Sequence, residues 1–120
     1  VSLVFGCVFA FLAVATGAFG AHGLEKILDS YSLGIWQTAA QYQMIHALAL
    51  VLLGLFEGQK NTPQKLTRAF FLAGIVLFSG SLYLLALTGV KILGAITPLG
   101  GLSFMAGWIS FGLAALKKQA

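Results

Sequence analysis

The chain has 120 residues, 59% of them hydrophobic and only 8% charged, with a formal net charge of +4. Soluble domains carry about 25% charged residues, so this surface could not be dressed for water. A mean hydropathy of +0.96 makes lipid the expected solvent. The length admits a single domain, 1–120, and leaves no room for a second.

Lys26, Lys60, Lys65, Arg68, Lys91, Lys117 and Lys118 all fall at loops and ends. They form no stripe, so nucleic acid is not an expected partner, and membrane topology accounts for the charge. The single cysteine, Cys7, precludes an intrachain disulfide.

Four apolar stretches are expected to span, at about residues 1–22, 35–56, 68–87 and 92–116. Each meets the requirement of ~20 residues for a helix crossing a hydrocarbon layer of ~30 Å. Helix is forced, because lipid offers no partner to a backbone N–H or C=O. In the first stretch Gly6, Ala10, Ala13, Gly17 and Ala21 step by three or four, the spacing of a close-packing face. Ala13-Val14-Ala15 resembles a signal cleavage site, but the apolar run exceeds the core of a signal peptide. The run Gly17-Ala-Phe-Gly-Ala-His-Gly23 looks superficially like a dinucleotide loop, yet it follows no strand.

Next, Leu24, Ile27, Leu28 and Tyr31 stand at i, i+3, i+4 and i+7, with Glu25, Lys26 and Asp29 elsewhere. That pattern predicts a short amphipathic helix in the headgroup region. The second span opens on Trp36-Gln-Thr-Ala-Ala-Gln-Tyr-Gln-Met-Ile-His46, so polar residues must lie at membrane depth. At 100° per residue Gln37 and Gln41 share one face, Tyr42 and His46 another, and Gln43 lies off both. A helix polar on several sides should be surrounded by its neighbours.

The stretch from Glu57 to Arg68 is the one strongly hydrophilic run and predicts an extramembrane loop. Thr88-Gly89-Val90-Lys91 predicts a tight turn between antiparallel third and fourth spans. In the fourth, Pro98 cannot donate a backbone hydrogen bond, which predicts a kink or local unwinding. The expected architecture is an all-α membrane four-helix bundle with antiparallel up-down spans and a short interfacial helix between spans one and two.

Glu25, Asp29 and Glu57 are the only acids, and all lie outside the spans. The interior polar residues Gln41, Tyr42, Gln43, His46, Ser79, Ser81, Tyr83 and Thr97 gather in one half of the bilayer and form a candidate buried network. An intramembrane histidine is a site hypothesis by default. For His46 the blander reading, a neutral ring bonded to Ser, Gln or Tyr, has the stronger basis because no acid accompanies it. His22 and Cys7 do not complete a metal site with His46; no metal, cofactor or catalytic residue is expected. With both termini on one side, that side holds five basic residues against two, which predicts cytoplasmic termini.

Four blocks carry a resemblance over nearly the whole chain. They are Gly17-Ala-Phe-Gly-Ala-His-Gly-Leu24, Gln41-Tyr-Gln-Met-Ile-His-Ala-Leu48, Phe78-Ser-Gly-Ser-Leu-Tyr83 and Gly94-Ala-Ile-Thr-Pro-Leu-Gly-Gly101. The chain resembles the small membrane proteins grouped as domain of unknown function 423, which include bacterial YgdD-like inner-membrane proteins and animal transmembrane protein 256. The resemblance implies a four-span protein of a bacterial cytoplasmic or organelle membrane, and no catalytic residue.

The leading expectation is a structural or accessory membrane protein acting through the lipid bilayer, a second copy, or another membrane protein. The alternative is a small transporter or channel using a polar pocket around His46. An enzyme pairing Ser79 or Ser81 with His46 ranks third, for want of a group to orient the imidazole.

Overall fold

A computed structural model describes residues 1–119; the side chains of residues 118 and 119 lie outside that description, and with them Lys118 of the orientation count. Four helices run α1 (Ser2–His22), α2 (Ser30–Lys60), α3 (Lys65–Thr88) and α4 (Leu93–Gln119). Each is long and apolar enough to cross a membrane, and no strand occurs among the described residues. Neighbouring spans are antiparallel. Gln43 meets Phe9 while Trp36 meets Thr16; His46 meets Phe71 while Trp36 meets Tyr83; Thr67 meets Ser110 while Ser81 meets Thr97.

α2 has 31 residues, about 46 Å of rise, so its polar ends project beyond the hydrocarbon layer. Its start is set by Asp29, whose Oδ1 accepts from the Ser32 N–H at 2.7 Å. That bond holds the Asp29 carboxyl below its ordinary pKa. This cap corrects the expected interfacial helix. Only a 3₁₀ turn, Leu24–Lys26, precedes it, and residues from Ser30 onward belong to α2. Leu24 is buried and anchors the turn, whereas Ile27 and Tyr31 are 73% and 77% exposed. Asn61 closes α2 in the left-handed conformation, and the Glu57 carboxylate turns back to accept the Gln64 N–H at 2.5 Å. Between α3 and α4, Gly89 at φ 72° ends the helix with its N–H on the Leu85 carbonyl, a conformation that glycine adopts without a Cβ penalty.

α2 is the most enclosed helix, with α1 and α3 packed along it and α4 along α3. Two apolar clusters form the core. Leu50, Leu53, Phe71, Ile75 and Phe104 fill the half nearest the α2–α3 connection, and Leu24, Trp36 and Ala86 close the opposite end. Outward residues such as Phe11 and Leu116 are 72% and 63% exposed, as lipid-facing side chains are.

α1 and α2 touch backbone to backbone. A Cβ on Gly6 would lie 2.7 Å from the Val51 nitrogen, and one on Gly54 would lie 2.6 Å from the Leu3 nitrogen. Along α1, Gly6 and Ala13 are buried and Ala10 and Gly17 half-buried, but Ala21 is exposed. The last position of the packing face is Gly20 instead, against the Trp36 ring. From Gly17 a step of three, not four, stays turned toward α2.

A π segment interrupts α3, whereas α4 is helical throughout its described length. Helix α4 continues without unwinding through Pro98, which is exposed. The proline lies in the second turn with its ring toward lipid, where membrane helices tolerate the lost bond. Across the interface Ile75–Gly80 forms a π segment. There Gly100 of α4 meets the Phe78 backbone so closely that a Cβ could not be accommodated in place. The extra residue of a π turn carries the chain around this contact.

Candidate functional site

The polar side chains of the interior divide into three groups. In the first, Gln43, buried on α2, donates from Nε2 to the Phe9 carbonyl at 2.8 Å and accepts at Oε1 from the Tyr83 hydroxyl at 2.7 Å. Tyr83 lies 2.9 Å from Thr16 Oγ1. The phenol has one proton and gives it to Gln43, so it accepts from Thr16, whose hydroxyl shares its proton between Tyr83 and the Ala13 carbonyl 3.2 Å away. The chain Thr16 to Tyr83 to Gln43 to Phe9 carbonyl therefore leaves α1, crosses α3 and α2, and returns to α1. Trp36 caps it, with Nε1 donating to the Thr16 carbonyl at 2.7 Å and its ring edge-on to Tyr83.

Removal of one link is expected to cost about 0.6–1.7 kcal/mol, the range of intramembrane side-chain bonds. Tyr83→Phe deletes two links, to Gln43 and to Thr16, and should lower unfolding stability in detergent by about 1.2–3.4 kcal/mol. In a double-mutant cycle with Thr16→Val the coupling should be about 0.6–1.7 kcal/mol, since the Thr16–Tyr83 bond is the one both substitutions delete.

The second group is His46. Its Nδ1 lies 2.9 Å from the Tyr42 carbonyl, and its Nε2 accepts from Trp108 Nε1 at 3.0 Å. An indole nitrogen can only donate and a carbonyl can only accept. The two partners thus fit one species, the neutral ring with its proton on Nδ1. The imidazole stacks on Phe104 with centroids 3.5 Å apart and planes 8° from parallel, and Phe71 closes another side.

The third group joins α3 to its neighbours. Ser79 Oγ donates to the Ala39 carbonyl at 2.8 Å, and the Ser81 and Thr97 hydroxyls lie 2.6 Å apart. Ser81 also donates to the Phe78 carbonyl. Both serines are thus engaged away from His46, and no nucleophile–base pair is assembled.

Six of the eight expected network residues are bonded this way: Gln43, His46, Ser79, Ser81, Tyr83 and Thr97. The other two are not. Gln41 and Tyr42 are exposed on the outer side of α2, because the inward arc of the helix runs through Ala39, Gln43 and His46. Tyr42 contributes its carbonyl and packs its ring on Phe78 at 4.8 Å. Thr16, Trp36 and Trp108 belong to the site but escape sequence reasoning. Their one signal is a polar atom within a predicted span, at positions where packing or an interfacial anchor explains them equally well. His22 and Cys7 are both exposed, and no cluster of potential metal ligands occurs among the described residues.

Open grooves flank the bundle. One of about 770 Å³ lies between α3 and α4 beside the α2–α3 connection, and one of about 310 Å³ lies at the opposite end beside Gly89. Neither is lined by His46 or Gln43.

Residues 16–101 match the family described as protein of unknown function DUF423. The chain belongs to that family. The matched stretch includes Thr16, Gln43, His46, Ser79 and Tyr83, while Phe104 and Trp108 lie beyond it. The chain is 51% identical over 120 residues to the UPF0382 membrane protein YwdK of Bacillus subtilis, covering 98% of this chain and 97% of that protein. It is 49% identical over 117 residues to a UPF0382 membrane protein of Staphylococcus epidermidis, covering 98% and 96%. A UPF0382 membrane protein of Staphylococcus aureus is 44% identical over 115 residues, covering 96% and 94%. No solved structure matches. These relatives are named as membrane proteins, in keeping with the four helices of this chain that are long and apolar enough to span.

Proposed function

We propose that this family member is a non-catalytic accessory protein of the bacterial cytoplasmic membrane that works through the outer faces of its helices. The observation that carries this reading is the closure of the polar interior. Thr16, Tyr83, Gln43 and His46 spend their hydrogen bonds on one another, on Trp108 and on backbone carbonyls. Among the described residues no buried side-chain nitrogen or oxygen is left without a partner. Groups consumed in this way stabilise the bundle and are not presented to a solute. What the protein offers its surroundings is the exposed apolar surface of α1 and α4, together with a basic end at the α2–α3 connection. Lys60, Lys65, Arg68, Lys117 and Lys118 at that end outnumber Lys26 and Lys91 at the other, which favours cytoplasmic termini.

Photocrosslinkers placed at Phe11 on α1 and Leu113 on α4 in native membranes are expected to trap one defined partner, either a second copy or another membrane protein. The same probe at buried Leu50 should trap none. If neither outward position captures a discrete species, and deletion leaves membrane composition unchanged, the accessory role is wrong.

A further inference from the structure

We infer that the groove between α3 and α4 is a binding site for an anionic phospholipid of the leaflet at the basic end. This rests on the proposed action through the outer helix faces and names the lipid that one of those faces selects. The groove holds about 770 Å³ and is open to the side. Its hollow exists because Ala106 and Ala114 place small side chains where α4 would otherwise fill the space, between walls built by Phe70 and Ile109.

The one hydroxyl of α4 in its lining, Ser110, is bonded to Thr67 at 2.5 Å. The interior of the groove therefore presents hydrocarbon, which suits an acyl chain and not a polar solute. Ala106, Ser110, Ala114 and Lys117 recur at intervals of three or four and so share one face of α4. From Ala106 to Lys117 that face rises roughly 16 Å, half of a hydrocarbon layer about 30 Å thick. The groove thus runs the depth of one leaflet and ends at the interface.

Charge decides the headgroup. The mouth is formed by Lys117 and by the connection that carries Thr62 and Gln64. Lys60 and Lys65 flank that connection, and the single acid of this end, Glu57, whose carboxylate sits on the Gln64 N–H, leaves the lysines in excess at the mouth. A cationic mouth above an apolar slot one leaflet deep is complementary to a phosphate headgroup with net negative charge and its acyl chain.

The test is native mass spectrometry of the full-length protein released from detergent with phosphatidylglycerol or with phosphatidylcholine of the same acyl chains. The protein should retain one phosphatidylglycerol in preference to phosphatidylcholine by about fivefold, the factor for one basic group near an anionic surface. Lys117→Gln, at an exposed helix end, should abolish the preference while leaving the melting temperature unchanged. Ala106→Phe should reduce retention of both lipids. Lys91→Gln, beside the smaller groove, should change neither. Equal retention of the two lipids, or a preference that survives Lys117→Gln, overturns the inference. So does a dimer that Ala106→Phe disrupts without lipid selectivity, which would give the groove to a second copy. Loss of lipid selectivity with a crosslinked partner still trapped would remove this inference and leave the accessory role standing.

Discussion

Gly100→Ala should destabilise the protein by about 2–3 kcal/mol, the cost of overpacking a filled interface, although it adds one methyl group to a helix. A Cβ at this position falls on the Phe78 backbone, in the π segment of α3. Main chain cannot rotate aside as a side chain can, so α4 must withdraw or the π turn must shift. Either movement would disturb Ser81 against Thr97, whose hydroxyls lie one turn further along the same interface. The same substitution at Gly80, which has nothing within 4 Å of an added Cβ, should be neutral or raise stability by up to about 1 kcal/mol through helix propensity. Reversible unfolding of both variants in detergent reads the contrast directly. Equal behaviour of the two would mean that the α3–α4 contact is looser than described.

His46→Ala carries the second large effect, an expected loss of about 2–4 kcal/mol from a cavity between aromatic rings and a severed indole bond. Phe104, Phe71 and Trp108 all pack on the imidazole, and Trp108 Nε1 loses its acceptor. His46→Phe keeps the ring stack and drops only the two hydrogen bonds, so its loss should be about 1 kcal/mol. If the closed interior is right, wild-type protein in liposomes conducts neither protons nor small cations, and both variants lower stability without altering permeability. A transport role requires the reverse, a flux that His46→Phe eliminates at nearly unchanged stability.

The four spans are legible in the sequence because lipid removes the alternatives: twenty apolar residues without an internal charge have only one way to satisfy their backbone. The ends are less legible. α2 begins at Ser30 rather than near Ile35 because Asp29 caps it, and a capped helix continues past the hydrocarbon boundary into water. The apolar spacing of Leu24, Ile27, Leu28 and Tyr31 was shared between a turn and a helix start, and periodicity alone does not register the break at Asp29. Within α2, helical rotation sorts Gln41, Tyr42, Gln43 and His46 onto faces but does not say which face looks inward. That depends on where α1 and α3 lie; α1 is seated by Gly6 and Gly54 at backbone contacts and by Gly20 against the Trp36 ring. The π segment has no signature at all in Ile75-Val-Leu-Phe-Ser-Gly80. Pro98, the conspicuous helix breaker, points into lipid, while the irregularity is carried by the helix that faces Gly100.

Dryness at His46 is the central physical claim, and nuclear magnetic resonance of ¹⁵N-histidine- and ¹⁵N-tryptophan-labelled protein in nanodiscs tests it most directly. A single neutral imidazole protonated at Nδ1, coupled to the Trp108 indole and showing no magnetisation exchange with water at either group, is the result this structure requires. A mixture of tautomers at His46, with water cross-peaks to its ring or to the Trp108 indole proton, would contradict it and return the interior of the bundle to the status of a pathway.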